Sequence, residues 1–203
     1  MNFGIYQPKH VLTMSEREVM RYAGMPKCTD EKMLLDAEDA IRLCTTKMQP
    51  ICVYRYFEIT DRTEHTVTLA GKVTLSGSLV SKYLCDCRSL CMVIGTVGLA
   101  VDRMIAAKGS ISSYQQLLAD AAGSTAIEAL MDDFCNQIPV SMLPKPRISP
   151  GYGDFSIENQ KVIFGALDAF RMIGACLGDS LLISPSKSVS AIIGCGKELS
   201  CLI

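Results

Sequence analysis

The residues best equipped for chemistry lie in one stretch, Lys145-Pro146-Arg147-Ile148-Ser149-Pro150-Gly151-Tyr152-Gly153-Asp154. Arg147 offers a planar fork of donors matched to a carboxylate or a phosphate. Tyr152 offers an aromatic face that attracts a cation, with a hydroxyl at its tip. Pro150 pushes Ser149 toward an extended conformation. Gly151 and Gly153 carry no Cβ and leave the main chain open to close approach. The expectation is a stiff loop that presents one cation and one ring. Composition alone also fits a solvated connector, since loops rich in Pro and Gly are common.

Helices must flank and hold that loop. Before it, a long one runs from about Ser113 to Cys135, dense in alanine (Ala119, Ala121, Ala122, Ala126, Ala129), which predicts close packing on several sides. After it, Ser156 is placed to cap a helix through about Ile173, closed by Gly174. Leu181–Ser184 and Val189–Gly194 read as strands around a Pro185-Ser186-Lys187-Ser188 turn.

Upstream, residues 1–14 read as an arm with a short strand around Val11-Leu12-Thr13. Ser15 and Glu18 are spaced as a capping box for a helix that stops at Gly24, ahead of Pro26. Asp30 opens a second helix, with Leu34, Ala37, Ile41 and Cys44 at helical spacing. From Ile51 to Leu75 the period falls to two, a β-meander with a turn at Ala70-Gly71-Lys72 and polar alternates that imply one solvated face. Ser78 is placed to cap a helix to about Leu84, and Leu90–Gly95 reads as a buried strand. Gly95-Thr96-Val97-Gly98 leads into a further helix, and such a turn serves either strand–helix packing or an anion at the helix N-terminus. It lacks the glycine spacing of a nucleotide fingerprint. The pattern predicts one α+β domain, 1–203, with a mostly antiparallel twisted sheet and flanking helices. Within it, 1–50 form a helical arm and 51–203 the main body.

Bulk properties narrow the function. With 203 residues, 49% hydrophobic and 20% charged, the chain builds a core without staples. A net charge of −1 and no Lys/Arg run exclude the basic face that nucleic acid requires. No apolar run spans a bilayer and no signal pattern opens the chain, so the expected location is the cytoplasm. Ten cysteines there imply thiols rather than a disulfide framework. Cys44, Cys91, Cys135 and Cys176 read as small buried hydrophobes. The spacing of Cys85, Cys87, Cys195 and Cys201 matches no paired Cys-x2-Cys metal site, and no metal is assigned. His10 and His65 read as surface residues, and Asp132-Asp133 as a solvated helix face. No Ser/His or Cys/His pairing supports a nucleophile.

Arg-x-Ser-Pro-Gly-Tyr-Gly-Asp at 147–154, followed by a helix and then Pro185-Ser186-Lys187-Ser188-Val189-Ser190, resembles the S-adenosylmethionine-binding activation domain of vitamin B12-dependent methionine synthase, above all its short stand-alone versions. The resemblance covers roughly residues 90–195 well and the first half loosely. It implies that the domain binds S-adenosylmethionine through Arg147, Ser149, Gly151, Tyr152, Ser188 and Ser190, with Glu128 matching a family glutamate in the preceding helix. Tyr152 would lie toward the methyl-transfer side, in the catalytic position. It further implies a reactivation subunit, supporting reductive methylation of cobalamin held by a partner methionine synthase or related corrinoid protein, with a flavodoxin-type electron donor. The alternative is a binding or regulatory module for another corrinoid methyltransferase that has lost S-adenosylmethionine. Lys187 replaces a small residue of the longer versions, where it either meets the corrinoid or sits in a solvated turn.

Overall fold

The computed structural model describes residues 3–196. Its central element is β5 (Ser89–Thr96), in which all eight residues are buried. A run of Leu90, Cys91, Met92, Val93 and Ile94 has no solvated face to offer, so it folds only where both sides are covered. Cys91 and Val93 enter one apolar cluster, and Leu90, Met92 and Ile94 enter another.

On one side β5 pairs antiparallel with β8 (Ser188–Cys195), and on the other with β2 (Ile51–Arg62). The far edge of β2 is shared. Its first half carries β1 (Phe3–Tyr6), and its second half carries β3 (Thr66–Leu69), which hairpins into β4 (Val73–Ser76). The sheet order is therefore β4-β3-β2-β5-β8, antiparallel throughout, with β1 beside β2. The first strand lies at residues 3–6; Val11-Leu12-Thr13 forms none, and Leu12 is instead buried. The expected solvated face holds only for the outer part of the meander. In β2, Tyr54 and Tyr56 pack into the first cluster while Val53 and Phe57 enter the second.

The first cluster is roofed by α1 (Glu16–Tyr22), α2 (Glu31–Lys47), α4 (Leu99–Gly109) and α5 (Ser113–Asn136). Ser15 Oγ accepts the N–H of Glu18 at 3.3 Å, but Glu18 turns outward to Arg21, so only half of the capping box forms. Asp30 caps α2 through the N–H of Met33 at 2.9 Å. Asp102 in the first turn of α4 accepts the N–H and hydroxyl of Ser186, which ties that turn to the start of β8.

The opposite face carries the shorter helices, α3 (Ser78–Tyr83), α6 (Asn159–Leu167) and α7 (Ala169–Ile173). The single helix expected through Ile173 is broken at Asp168, which adopts φ +47°. The chain can then turn Ala169 inward beneath the sheet, where it is buried. The expected hairpin between Leu181–Ser184 and Val189–Gly194 does not form either. A two-residue strand, β7 (Ile183–Ser184), pairs with β6 (Cys176–Leu177), while β8 crosses to β5. Cys176 is exposed there rather than buried.

Among the described residues no helix is long and apolar enough to cross a membrane. The central strand yields the first prediction. Met92 is 0% exposed, so Met92→Ala should lower stability by about 2–5 kcal/mol through lost burial and a cavity. Urea unfolding should show a lower midpoint with an unchanged slope. A loss under about 1 kcal/mol would mean that the strand is not enclosed on both faces.

Candidate functional site

The loop singled out by its residues runs along the free edge of β8. Pro144 bridges Cys195 and Ile148 bridges Ile192, both antiparallel. The Ile148 and Ile192 main chains exchange hydrogen bonds of 3.0 and 2.8 Å. Continuing that register sets Pro150 beside Ser190. Proline has no N–H to donate, so pairing stops there and the chain leaves the sheet as a turn.

Four anchors make the turn rigid. The Tyr83 hydroxyl accepts the N–H of Gly194 at 2.9 Å and donates to the carbonyl of Pro146 at 2.8 Å, bridging β8 and the loop. Lys145 Nζ donates to the carbonyl of Tyr83 at 2.8 Å and pairs with Asp86. Phe155, 0% exposed, plugs the second cluster.

The fourth anchor is Asp154, whose carboxylate accepts the N–H of Ser78 at 2.7 Å and of Leu79 at 2.8 Å. Asp154, 76 residues from Ser78, thus caps α3 in place of Ser78 itself. Gly77 permits the contact: it holds φ +132°, and a Cβ there would lie 2.6 Å from the Asp154 carbonyl oxygen.

Arg147 lies over the last turns of α5 with its side chain 20% exposed. Nη2 donates to Glu128 Oε2 at 2.5 Å, and Nη1 donates to Asp132. Burial works against the guanidinium's charge, but the hydrogen bond and charge of Asp132 and the charge of Glu128 outweigh it and raise its pKa. Asp132 is exposed as expected, 67% by side chain, whereas Asp133 is not. Asp132 holds Arg147, and Asp133, 14% exposed, accepts the Tyr6 hydroxyl at 2.5 Å with His10 3.2 Å away. Burial and that hydrogen bond push the Tyr6 phenol up to about 12.

Beyond Arg147, Ser149 is half-buried and its carbonyl accepts the Tyr152 N–H at 3.4 Å. Gly151 has φ +103°, and a Cβ there would meet only Ile157 Cδ1 at 3.7 Å, so the space above it is open. Tyr152 is 62% exposed. Ser188 is half-buried, its hydroxyl turned onto the Pro185 carbonyl at 2.7 Å. Ser190 is buried, and its Oγ has no hydrogen-bond partner among the described residues.

Arg147, Glu128, Ser149, Gly151 and Tyr152 thus belong to one edge of the molecule. Ser190 borders it across the β8 register, and Ser188, two residues earlier at the start of that strand, lies opposite Thr96. Lys187 does not sit in a solvated turn. It folds over Gly123 of α5, 12% exposed, and pairs with Asp120 at 2.9 Å. Sequence reasoning missed Asp132, Tyr83 and Asp154. Only Asp154 carried a signal, as the last residue of the motif.

The architecture so described is α+β, a curled antiparallel sheet flanked by helices. It has a solved counterpart. The crystal structure of the MetH reactivation domain bound to AdoHcy matches with a TM-score of 0.64 and 12% sequence identity, over 96% of this chain and 78% of that one. No protein-family profile and no curated protein matches the sequence. At that identity the likeness establishes the fold.

The capping carboxylate gives a pH prediction. Hydrogen bonds from Ser78 and Leu79 hold Asp154 down to about 2. Its folded value lies below the unfolded one, so its stabilisation is complete above about pH 4 and is lost as pH falls toward 2. Wild type should therefore melt above Asp154→Ala at about pH 6, with the two curves converging near pH 2. Equal melting points at neutral pH would contradict the cap.

Proposed function

We propose that this chain binds S-adenosylmethionine on the Arg147 loop and acts as a reactivation subunit for a separate cobalamin-carrying methionine synthase. The observation that supports this most is the placement of the motif. Arg147, Gly151 and Tyr152 stand together on a rigid edge of a fold whose solved counterpart holds S-adenosylhomocysteine. Chemistry supports it as well. The amino-acid end of that nucleoside is a zwitterion, and the Arg147–Glu128 pair offers one group for each of its charges: guanidinium for carboxylate, and carboxylate for ammonium. The ligand's carboxylate would take the position of Asp132, the more exposed of the two acids at 67% against 40%. Open main chain at Gly151 would provide polar contacts for the nucleoside, and the Tyr152 ring would face the sulfonium.

Cobalamin held by the partner and reduced by a flavodoxin-type donor would supply the acceptor for the sulfonium methyl. The residues of this chain bind and orient. Tyr152, exposed at the rim, would meet the corrinoid, and Arg147 would fix the nucleoside's far end. One observation favours a second reading, a binding module that has lost the ligand: both edges of the Arg147 fork are already engaged, by Glu128 and Asp132.

Calorimetry with S-adenosylmethionine separates the two. Wild type should bind, and Arg147→Ala should forfeit a charge-assisted contact worth about 1.5–3 kcal/mol, a loss of roughly 10- to 150-fold in affinity. Asp132→Asn, which frees part of the fork, should bind at least as tightly as wild type. No heat from the wild type, or unchanged affinity in Arg147→Ala, eliminates the ligand. A protein that binds yet does not restore activity to an oxidised methionine synthase lacking this domain eliminates the reactivation role.

A further inference from the structure

Directly behind the loop, Cys85 and Cys87 flank Asp86 in the turn that follows α3. Cys85 is exposed; Cys87 is 1% exposed. Both sulfurs approach the same carboxylate oxygen, Asp86 Oδ1, Cys85 Sγ at 3.8 Å and Cys87 Sγ at 3.9 Å. The two sulfurs are therefore no more than about 7.7 Å apart, the sum of those distances. Residues two apart in a turn have Cα atoms about 5–6 Å apart, inside the range a disulfide spans. Lys145 Nζ pairs with the same Asp86 oxygen and lies close enough to interact electrostatically with both sulfurs. Among the described residues no group of three His, Cys, Asp or Glu side chains is placed to hold a metal. The cluster is thiol chemistry beside a cation.

We propose that Cys85 and Cys87 form a redox-active dithiol that closes to a disulfide by exchange with a low-molecular-weight disulfide, and that closure loosens the anchoring of the Arg147 loop. The Cys85 thiolate attacks one sulfur of the small disulfide, giving a mixed disulfide and releasing one small thiol. The Cys87 thiolate then attacks Cys85 Sγ and expels the second small thiol. The pair loses two electrons and two protons, and the small disulfide gains both. Exposure makes Cys85 the entry point. Burial pushes the Cys87 thiol up and Lys145 beside it works in the opposite direction, so Cys87 acts second, once a mixed disulfide stands two residues away.

The connection to the loop is direct. A Cβ on Gly194 would lie 2.7 Å from Cys87 Sγ, so that sulfur packs against the Gly194 main chain. Gly194 accepts the Lys145 N–H at 2.8 Å and donates to the Tyr83 hydroxyl at 2.9 Å. Drawing the Cys87 sulfur toward Cys85 removes that packing and disturbs the Asp86–Lys145 pair together.

Trypsin reads the chemistry cleanly. Cleavage after Lys82 and Arg88 releases Tyr83–Arg88, which contains these two cysteines alone, and a separate peptide, Met172–Lys187, carries Cys176 as an exposed reference thiol. After treatment of the intact protein with oxidised glutathione and alkylation, Tyr83–Arg88 should have lost two hydrogens and taken no alkyl group. Cys87→Ser should retain glutathione on Cys85, and Cys85→Ser, at an exposed position, should give a peptide with neither glutathione nor disulfide, its Cys87 alkylated. Hydrogen exchange at Lys145 and Ile148 should be faster in the disulfide form. The proposal is overturned if Tyr83–Arg88 stays a dithiol while Cys176 is glutathionylated, if the wild type stops at a glutathione adduct, or if the disulfide forms with exchange at Lys145 and Ile148 unchanged. None of these readouts depends on S-adenosylmethionine, so they stand or fall apart from the ligand assignment.

Discussion

The complete burial of β5 is the constraint on which the rest of this molecule depends. A strand of that composition cannot border water on either face, so the chain must cover it twice. Helices α1, α2, α4 and α5 do so on one side, and α3, α6 and α7 on the other. β2 and β8 flank it along its full length and satisfy its main-chain groups. The outer edge of β8 then remains, and an unprotected edge invites pairing with another chain. Residues 144–148 cover that edge, and Pro150 ends the cover. The loop that carries Arg147 is a consequence of closing the sheet.

That origin explains its stiffness. Its ties run to three separate elements: β8 through Ile148, α3 through Asp154 and Tyr83, and α5 through Arg147. Each is a hydrogen bond or ion pair between residues distant in sequence, so the turn is held by the assembled fold. A preformed turn costs little ordering entropy when a ligand arrives. The Glu128 pair likewise holds the guanidinium in place, while Asp132 occupies the other edge of its fork.

How much of this was legible depended on the range of the interaction. β5 announced itself through an unbroken apolar run, α5 through its alanines, and the α2 cap through Asp30, because each signal is local. The motif at 147–154 indicated a loop presenting Arg147 and Tyr152, and they do lie on one edge. The cap on α3 was unreadable because its carboxylate comes from Asp154, on the far side of the fold. The break at Asp168 carried no glycine or proline, and packing of Ala169 under the sheet imposes it. β6 and β7 are too short for any period to register, and so the turn before β8 was misread as a hairpin. The seat of Lys187 was open between a corrinoid and a solvated turn, because nothing nearby in sequence foretold Gly123 and Asp120 as its neighbours. Cys201 lies outside the described residues.

A crystal structure of the protein soaked with S-adenosylhomocysteine tests the central claim most directly. The account predicts density for the nucleoside along the 147–152 turn, its carboxylate on Arg147 in the place of Asp132 and its sulfur beside the Tyr152 ring. Density elsewhere on the molecule, or an Arg147–Asp132 pair unchanged at saturating ligand, would contradict it.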